Sequence, residues 1–230
     1  MKIHTCFITY NRLDLTKQAI ASYLETVTVP FTMVVVDNGS TDGTPEWLLR
    51  EFSGYEKDVI LLDDNHYPGY ACNRGWETAP ADATHLHRAD NDFRFLPKWD
   101  IHMQKVFRRK EMGQVGLRTK DEELRCATNV GGNCVIAREL WDKGLRYDER
   151  PWPQIRDEAG PGITEDSFFS PAVVAMGYEW ARVTQPCIFS LATGDWSDPY
   201  YRTAYEVRGI KPHPDDPTLP PELRNVLGST

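Results

Sequence analysis

Strand-like and helix-like segments alternate four times over the first 110 residues, and this alternation constrains the fold more than any other feature. Short apolar runs, such as Phe-Thr-Met-Val-Val-Val over 31–36, are typical of strands covered on both faces. Segments with apolar residues at helical spacing lie between them. This order predicts an α/β domain with a predominantly parallel central sheet flanked by helices. The predicted strands cover 2–9, 31–36, 59–62 and 84–88, and the predicted helices cover 13–26, 45 to about 53, 70–79 and 99–110.

The second half of the chain is less regular. We predict strands near 113–118, 132–137 and 186–191, and helices at 138–143 and 165–177. From about residue 211 a run of prolines indicates an extended tail rather than a packed element. No internal repeat and no shift in composition divides the chain. We therefore expect a single domain over 1–210, made of the halves 1–110 and 111–210, followed by the tail 211–230.

Composition excludes several classes of protein. The formal net charge of −8 disfavours a general nucleic-acid-binding protein, because a negative surface repels polyanions, although a locally basic groove remains open. No apolar run reaches the roughly 18 residues of a membrane-spanning helix, and the N-terminus has the pattern of a first strand, not of a signal peptide. Five cysteines without a Cys-x-x-Cys pair predict buried, reduced thiols in a cytoplasmic protein.

Polar segments follow each of the first four predicted strands. In an open parallel sheet, ligands bind outside the carboxyl ends of the strands. Each segment alone has an ordinary interpretation as a turn, but their common placement predicts a ligand site at one edge of the sheet. The four segments cover 9–12, 37–40, 64–74 and 90–92.

Asp90-Asn91-Asp92 is the segment with the clearest chemistry. In an extended chain, residues i and i+2 point the same way, so both carboxylates can face one ligand. Two close carboxylates repel each other unless a cation lies beside them, and a hard divalent ion bridging a diphosphate is the natural partner. A solvated turn is the alternative interpretation.

Two further segments contain acidic candidates. Asp37 ends a predicted buried strand, where a fixed carboxylate can accept the N–H of a planar base, whereas Asp42 and Thr44 favour the start of the next helix. Glu165 and Asp166 follow Thr164, a residue suited to cap a helix. They either interact favourably with the helix dipole, or one of them acts as a general base.

Six motifs stand in order along the chain. They are Thr9-Tyr10-Asn11-Arg12, the segment 35–44, Asn65 with 69–75, Asp90-Asn91-Asp92, Gly131-Gly132-Asn133 and Thr164-Glu165-Asp166. Their order and spacing resemble the family 2 glycosyltransferases over about residues 3 to 190. The resemblance implies the GT-A fold, a Rossmann-like fold of nucleotide-diphospho-sugar transferases. It also implies transfer of a sugar from a nucleotide diphosphate donor to an acceptor hydroxyl, with inversion at the anomeric carbon.

The resemblance assigns the half 1–110 to the nucleotide and the half 111–210 to the acceptor. It implies that Asp37 contacts the base, and the chemistry of a carboxylate favours uridine, leaves guanosine open and disfavours cytidine. The other implied nucleotide-binding residues are Thr9, Tyr10, Arg12, Asn73, Arg74, Asp90 and Asn91.

The resemblance also implies a metal site and a base. Asp92, with Asp90, would bind Mn²⁺ or Mg²⁺. Asp166 would be the catalytic base, with Glu165 beside it. Many relatives carry a further metal-binding His after the catalytic helix, but 186–190 contains none. His213 in the tail is a weak substitute, because an exposed His between two prolines is the favoured interpretation.

The acceptor is the least constrained partner. Gly132 and Asn133 are implied near the donor sugar and the acceptor, and Trp152 could stack on a sugar ring. A glycan is the ordinary expectation. Two alternatives stay open: a non-catalytic nucleotide-sugar-binding protein, and a phage-type transferase that glycosylates a modified DNA base. A sugar-phosphate nucleotidyltransferase is disfavoured because residues 9–15 contain no glycine.

Overall fold

A seven-stranded sheet with the strand order β3-β2-β1-β4-β7-β6-β8 organises the chain. The computed structural model describes residues 1–52, 59–120 and 129–192, together with Ser197 and Arg202. The strands are β1 (Ile3–Thr9), β2 (Phe31–Asp37), β3 (Val59–Leu61), β4 (His85–Asp90), β5 (Phe93–Phe95), β6 (Met112–Gly116), β7 (Cys134–Ala137), β8 (Glu179–Arg182) and β9 (Ile188–Ser190). The helices are α1 (Leu13–Thr26), α2 (Thr44–Glu51), α3 (Tyr67–Trp76), α4 (Trp99–Val106), α5 (Arg138–Asp142), α6 (Trp152–Ala159) and α7 (Glu165–Ala175).

The first half of the sheet is parallel, as the alternating pattern predicts. β1 pairs with β2 on one side and with β4 on the other, and β3 extends the sheet beyond β2. The register sets Thr9 opposite Asp37 and Ile8 opposite Asp90. The carboxyl ends of the three strands therefore meet at one edge, and the polar residues that follow them are neighbours.

The second half adds one reversed strand. β7 runs antiparallel to both β4 and β6, whereas β6 and β8 are parallel, so the sheet remains predominantly parallel. Arg88 of β4 lies opposite Cys134, the first residue of β7. This register places residues 131–133 beside the carboxyl end of β4, at the same edge as the other polar segments.

Helices cover both faces of the sheet. Alternate residues of β1 enter different cores: Phe7 packs with Tyr23 of α1 and Trp99 of α4, whereas Cys6 packs with Trp76 of α3 and Phe169 of α7. Because the strands face a core on each side of the sheet, strands such as β2 have continuous apolar runs rather than alternation. Packing of α7 on the second face brings its N-terminus to the polar edge.

Several boundaries and elements differ from the sequence predictions. α3 begins at Tyr67 because Pro68 suits the first turn of a helix, and α7 ends before Gly177, which adopts φ +87°. β5 and β9 form a separate two-stranded sheet, so the predicted strand near 186–191 lies outside the main sheet. β5, β8 and α6 were not predicted: the two strands have only three and four residues, and α6 is an eight-residue helix that begins beside prolines and buries a single residue, Ile155.

Three further predictions concern the cysteines, the C-terminal tail and membrane-spanning helices. The four cysteines at 6, 72, 134 and 187 are buried and free, as expected, while Cys126 lies outside the described residues. The predicted tail 211–230 and His213 also lie outside them. Among the described residues, no helix combines the length and apolar character needed to cross a membrane.

Candidate active site

The loops after β1 and β2 are fastened to each other. Asn11 and Arg12 adopt left-handed backbone conformations, with φ 53° and 64°. The backbone N–H of Asn11 donates to Ser40 Oγ at 2.7 Å, and the backbone N–H of Thr41 donates to Asn11 Oδ1 at 2.8 Å. Gly39 is packed against the loop after β3, since a Cβ there would lie 2.6 Å from the carbonyl carbon of Asp64. These contacts hold the loops after the first three strands against one another.

Asp37 is buried at the end of β2, and its two carboxylate oxygens differ in their partners. Its Oδ1 accepts the backbone N–H of Ser40 at 2.9 Å, whereas its Oδ2 has no hydrogen-bond partner among the described residues. Burial raises the pKa of Asp37, and the hydrogen bonds from the Ser40 turn only partly offset this effect. A buried carboxylate oxygen without a donor is suited to accept one from a ligand.

Asp42 has the helix-start role expected of it. Its Oδ1 accepts from the hydroxyl of Thr44 at 2.6 Å, and its Oδ2 accepts the backbone N–H of Leu13 at 2.9 Å. Gly43, not Thr44, is the residue before α2, so Thr44 belongs to the first turn. Asp42 therefore holds the starts of α1 and α2 together.

Thr9 and Asn91 are buried and contact each other, whereas Tyr10 is exposed. Asn91 Nδ2 donates to Thr16 Oγ1 at 2.9 Å and to the carbonyl of Asn11 at 3.1 Å, and it lies 3.4 Å from Thr9 Oγ1. The amide nitrogen thus ties the end of β4 to α1 and the first loop. Of these predicted nucleotide-binding residues, Tyr10 presents its side chain to solvent.

Asp92, the predicted metal ligand, forms an ion pair with Arg12. Arg12 Nη1 lies 3.2 Å from Asp92 Oδ2, and both side chains are largely buried. This ion pair connects the first loop, in which Arg12 has a left-handed backbone conformation, to the end of β4. Two residues predicted for the nucleotide and the metal are brought together.

Asp90 is joined to Asn133 by a reciprocal pair of hydrogen bonds. The backbone N–H of Asp90 donates to Asn133 Oδ1 at 3.1 Å, and Asn133 Nδ2 donates to Asp90 Oδ2 at 3.3 Å. Gly132 packs against them, because a Cβ there would lie 2.6 Å from Asp90 Oδ2 and 2.9 Å from Arg88 Nη2. The glycine is therefore needed for close approach.

Arg88 is the residue of this site that the sequence predictions missed. Its side chain is only 4% exposed, and its guanidinium contacts three carboxylates. Nη1 donates to Glu165 Oε1 at 2.8 Å and to Asp166 Oδ1 at 2.9 Å, while Nε donates to Asp90 Oδ1 at 3.2 Å. An arginine on a central strand between buried neighbours is a signal that could have identified it, because a buried charge needs charged or polar partners.

Glu165 and Asp166 form the first turn of α7 and differ in their surroundings. Thr164 is the cap of this helix, as expected, and its backbone N–H lies 3.4 Å from Ser167 Oγ. Glu165 is buried with both oxygens bound, one by Arg88 and the other by Trp152 Nε1 at 2.5 Å. The side chain of Asp166 is 20% exposed. Asp166 is therefore the more exposed carboxylate of the pair.

Burial raises the pKa of Asp166 to about 7. Arg88 opposes this shift, whereas the charges of Glu165 and Asp90 add to it. A carboxylate with this pKa is divided between its two protonation states near neutral pH, which suits a group that takes up a proton during a reaction. The exposure and the pKa of Asp166 thus both make it the better candidate for a base.

Asn73 and Arg74 contact the segment after α5. Asn73 is fully buried: its Nδ2 donates to the carbonyl of Tyr147 at 3.0 Å and to Glu149 Oε1 at 2.8 Å. Arg74 pairs with Glu77 at 2.9 Å and with Glu149 at 3.3 Å. In this structure both residues fasten α3 to a neighbouring loop.

The described acidic residues of the site do not by themselves form a full set of ligands for a divalent ion. Within the described parts of the chain, no three His, Cys, Asp or Glu side chains are grouped as a metal site. Mg²⁺ and Mn²⁺ do not need such a cage, because they commonly bind one or two carboxylates together with substrate phosphates and water. The oxygen of Asp92 suits such a role, in competition with Arg12.

The chain matches a known protein family over more than half of its length. Residues 5–140 match the family model described as Glycosyl transferase family 2. No curated protein sequence matches the chain.

Solved structures share the fold at low sequence identity. S. aureus TarS 1-349 aligns with a TM-score of 0.61 at 15% identity, over 86% of this chain and 62% of TarS 1-349. The mannosyltransferase PcManGT from Pyrobaculum calidifontis, in complex with GDP-Man and Mn²⁺, aligns with a TM-score of 0.66 at 18% identity, over 96% of this chain and 68% of that one. TarS 1-349 in complex with UDP-GlcNAc aligns with a TM-score of 0.61 at 16% identity, over 83% of this chain and 58% of that one. This chain therefore spans less than two thirds of the TarS 1-349 chain.

Proposed function

We propose that this chain, which belongs to glycosyl transferase family 2 and has the GT-A fold, transfers a sugar from a nucleoside diphosphate donor to an acceptor hydroxyl. One observation carries the proposal: a single guanidinium, that of Arg88, joins Asp90 at the end of β4 to Asp166 at the start of α7. Asp90 lies beside the proposed donor site, and Asp166 has the proton affinity of a base. This contact supports a transfer site in which the donor side and the base adjoin.

The donor base is held by Asp37 in this proposal. Its buried Oδ2 can accept the ring N–H of uracil, and guanine offers a comparable ring N–H. Cytosine presents an acceptor at that ring position and would face the carboxylate unfavourably. Among the similar structures, TarS 1-349 is in complex with UDP-GlcNAc and PcManGT with GDP-Man, which agrees with either base. We favour a UDP-sugar, with Tyr10 and Arg12 as further contacts of the nucleotide.

A divalent ion, Mn²⁺ or Mg²⁺, would be held by Asp92 with Asp90 nearby. Such an ion neutralises charge on the leaving diphosphate. The similar structure of PcManGT is a complex with Mn²⁺ and GDP-Man. In this chain Asp92 already pairs with Arg12, so ion binding requires the arginine to share or leave that carboxylate.

Transfer then proceeds as a single displacement. Asp166 takes the proton of the acceptor hydroxyl while the hydroxyl oxygen bonds to the anomeric carbon, and the bond from that carbon to the diphosphate breaks. The electron pair of the broken bond leaves with the nucleoside diphosphate. Attack from the face opposite to the leaving group inverts the anomeric centre, by the logic of one-step displacements at sugars. A positioned base contributes roughly 10²- to 10⁴-fold to such a step.

The acceptor is a glycan hydroxyl in this proposal, bound by the half 111–210. Trp152 lies beside the base, because its Nε1 donates to Glu165, and its ring is 5.6 Å from that of Tyr67. Gly132 and Asn133 line the junction with Asp90. We place the reaction in the cytoplasm, because the four described cysteines are free.

The proposal is tested with a panel of UDP-, GDP- and CDP-sugars, assayed for release of the free nucleotide with Mn²⁺ and again with excess chelator. We expect release from a UDP- or GDP-sugar that depends on the metal. Nucleotide binding without any release would support the non-catalytic alternative. NMR of the product is expected to show an inverted anomeric configuration, and retention would contradict the single displacement.

A further inference from the structure

We propose that Arg88 is a positioning residue that fixes the base Asp166 relative to the donor-side carboxylate Asp90. The inference rests on the proposed function and extends it to a residue outside the motifs of the site. Arg88 reaches the reaction through the carboxylates that it binds. Its role is to keep a helix residue and a strand residue in one arrangement.

The contacts of the guanidinium show how one group can do this. Nε binds Asp90 at 3.2 Å, and Nη1 binds Asp166 at 2.9 Å. Nη1 also binds Glu165 at 2.8 Å, so both acidic residues of the first turn of α7 are held from one point. Because the guanidinium is planar and rigid, the distance between its Nε and Nη1 sets the separation of the strand carboxylate from the helix carboxylates.

Charge gives a second reason for the arrangement. Three carboxylates meet around one cation whose side chain is nearly inaccessible to water. Without the guanidinium, these acidic groups would repel one another or take up protons, and no cation would bridge the end of β4 to the start of α7. Arg88 therefore joins acidic residues that have no attraction for one another.

The surroundings of Arg88 leave its guanidinium little freedom. Its central carbon lies 5.0 Å from the centre of the Tyr147 ring, and that ring stacks on Phe169 of α7 at 3.8 Å. On another side, Gly132 leaves only the space of a hydrogen atom, since a Cβ would meet Nη2 at 2.9 Å. The side chain is thus held by an aromatic ring and by a backbone segment, which suits a rigid spacer.

The test compares Arg88→Lys in two backgrounds, the otherwise unchanged protein and Asp166→Asn. Lysine keeps the charge but donates from a single nitrogen, so it cannot bind Asp90 and Asp166 in the same geometry. We expect Arg88→Lys to lower kcat by roughly 10²-fold in the unchanged protein, as a misplaced catalytic group does. In the Asp166→Asn background we expect a loss below about threefold, because the positioned group is already inactive.

Two further variants complete the design. Gly132→Ala presses on Arg88 and Asp90 without removing a charge, and it should repeat the same background dependence even if Arg88→Lys fails to fold. Arg138→Lys is the matched control: Arg138 pairs with Asp142 at 2.9 Å in α5, and the variant should keep kcat near that of the unchanged protein. Thermal unfolding of each variant identifies those that remain folded.

The outcomes separate this inference from the proposed function. Equal losses of kcat in both backgrounds, or no loss for either Arg88→Lys or Gly132→Ala, would overturn the positioning role while transfer by the unchanged protein upholds the function. If the unchanged protein releases no nucleotide from any donor of the panel, the proposed function fails, and the inference falls with it.

Discussion

Asp166 Oδ1 lies 2.9 Å from Nη1 of Arg88, yet burial raises the pKa of Asp166 to about 7. Desolvation of the carboxylate therefore outweighs the attraction of a cation at hydrogen-bond distance. Two nearby carboxylates, those of Glu165 and Asp90, act in the same direction as burial. The proton affinity of this proposed base is therefore set by its surroundings, and we expect the pH dependence of both activity and stability to reflect it.

The pH dependence of kcat/KM should report this carboxylate. Asp166 must be deprotonated to accept a proton, so we expect kcat/KM to rise about tenfold per pH unit below its pKa and to level off above pH of about 7. Glu165→Gln removes a negative charge that raises the pKa of Asp166, so it should move the midpoint to lower pH. A profile that is flat from pH 5 to about pH 8, or a midpoint that Glu165→Gln raises, would contradict the assignment.

Stability should depend on pH through the same group. Because the folded pKa of Asp166 is raised above its ordinary value of 3.8, the native state holds this proton to higher pH than the unfolded chain does. The associated stability is fully present below the unfolded pKa and is lost as the pH rises through about 7. We define the difference as the Tm of Asp166→Asn minus the Tm of the unchanged protein, and we expect it to rise between about pH 5 and pH 8. Thermal unfolding at both pH values measures this difference, and a fall with increasing pH would contradict the raised pKa.

Much of the fold follows from local sequence patterns. The first four strands and helices were predicted from local patterns, namely short β-prone runs such as residues 31–36 and apolar residues at helical spacing such as those of 13–26. The antiparallel placement of β7 between β4 and β6 could not be predicted in this way, since it depends on pairing between distant segments. β5 and β8 have only three and four residues and α6 buries only Ile155, so these elements offer few residues from which a pattern could be recognised.

The site was predicted less completely than the fold. The motifs singled out Asp37, Asp92 and Asp166 as candidates, because acidic residues after strands or at helix starts are recognisable from sequence, and their roles stay predictions. Arg88 was missed because it lies within a strand, and its carboxylate partners on α7 come near it only in the folded protein. Asn73 was expected to face the nucleotide, but in the structure its amide joins α3 to Tyr147 and Glu149, a contact between residues far apart in sequence.

Asp37 should determine the preference for the base. We expect UDP to raise the Tm more than CDP does, by the usual mass-action effect of a ligand that binds only the folded state. Asp37→Asn should reduce the shift with UDP and narrow the difference, because an amide is a weaker acceptor than a carboxylate. Asp42→Asn is a control on a neighbouring carboxylate that binds the starts of two helices: it should lower the Tm without ligand but keep the preference for UDP. A larger shift with CDP than with UDP would contradict the role of Asp37.

Arg12 should weaken metal binding in the absence of nucleotide. Its guanidinium occupies Asp92 Oδ2 at 3.2 Å, so Mn²⁺ competes with an ion pair that is largely buried. We expect weak Mn²⁺ binding to the protein alone, tighter binding with UDP, and tighter nucleotide-free binding in Arg12→Gln. Asp92→Asn should remove the effect of UDP. Titration calorimetry or the EPR signal of free Mn²⁺ measures each affinity, and tight binding that Asp92→Asn leaves unchanged would place the metal elsewhere.

The turnover of Asp166→Asn tests the central claim most directly. The substitution keeps the shape of the side chain and removes its capacity to take the acceptor proton. With the best donor of the panel, we predict a kcat lower by roughly 10²-fold or more and a donor KM close to that of the unchanged protein, because the group acts mainly in the transition state. Glu165→Gln, which alters the adjacent carboxylate, should cost less. A kcat for Asp166→Asn near that of the unchanged protein would contradict the account.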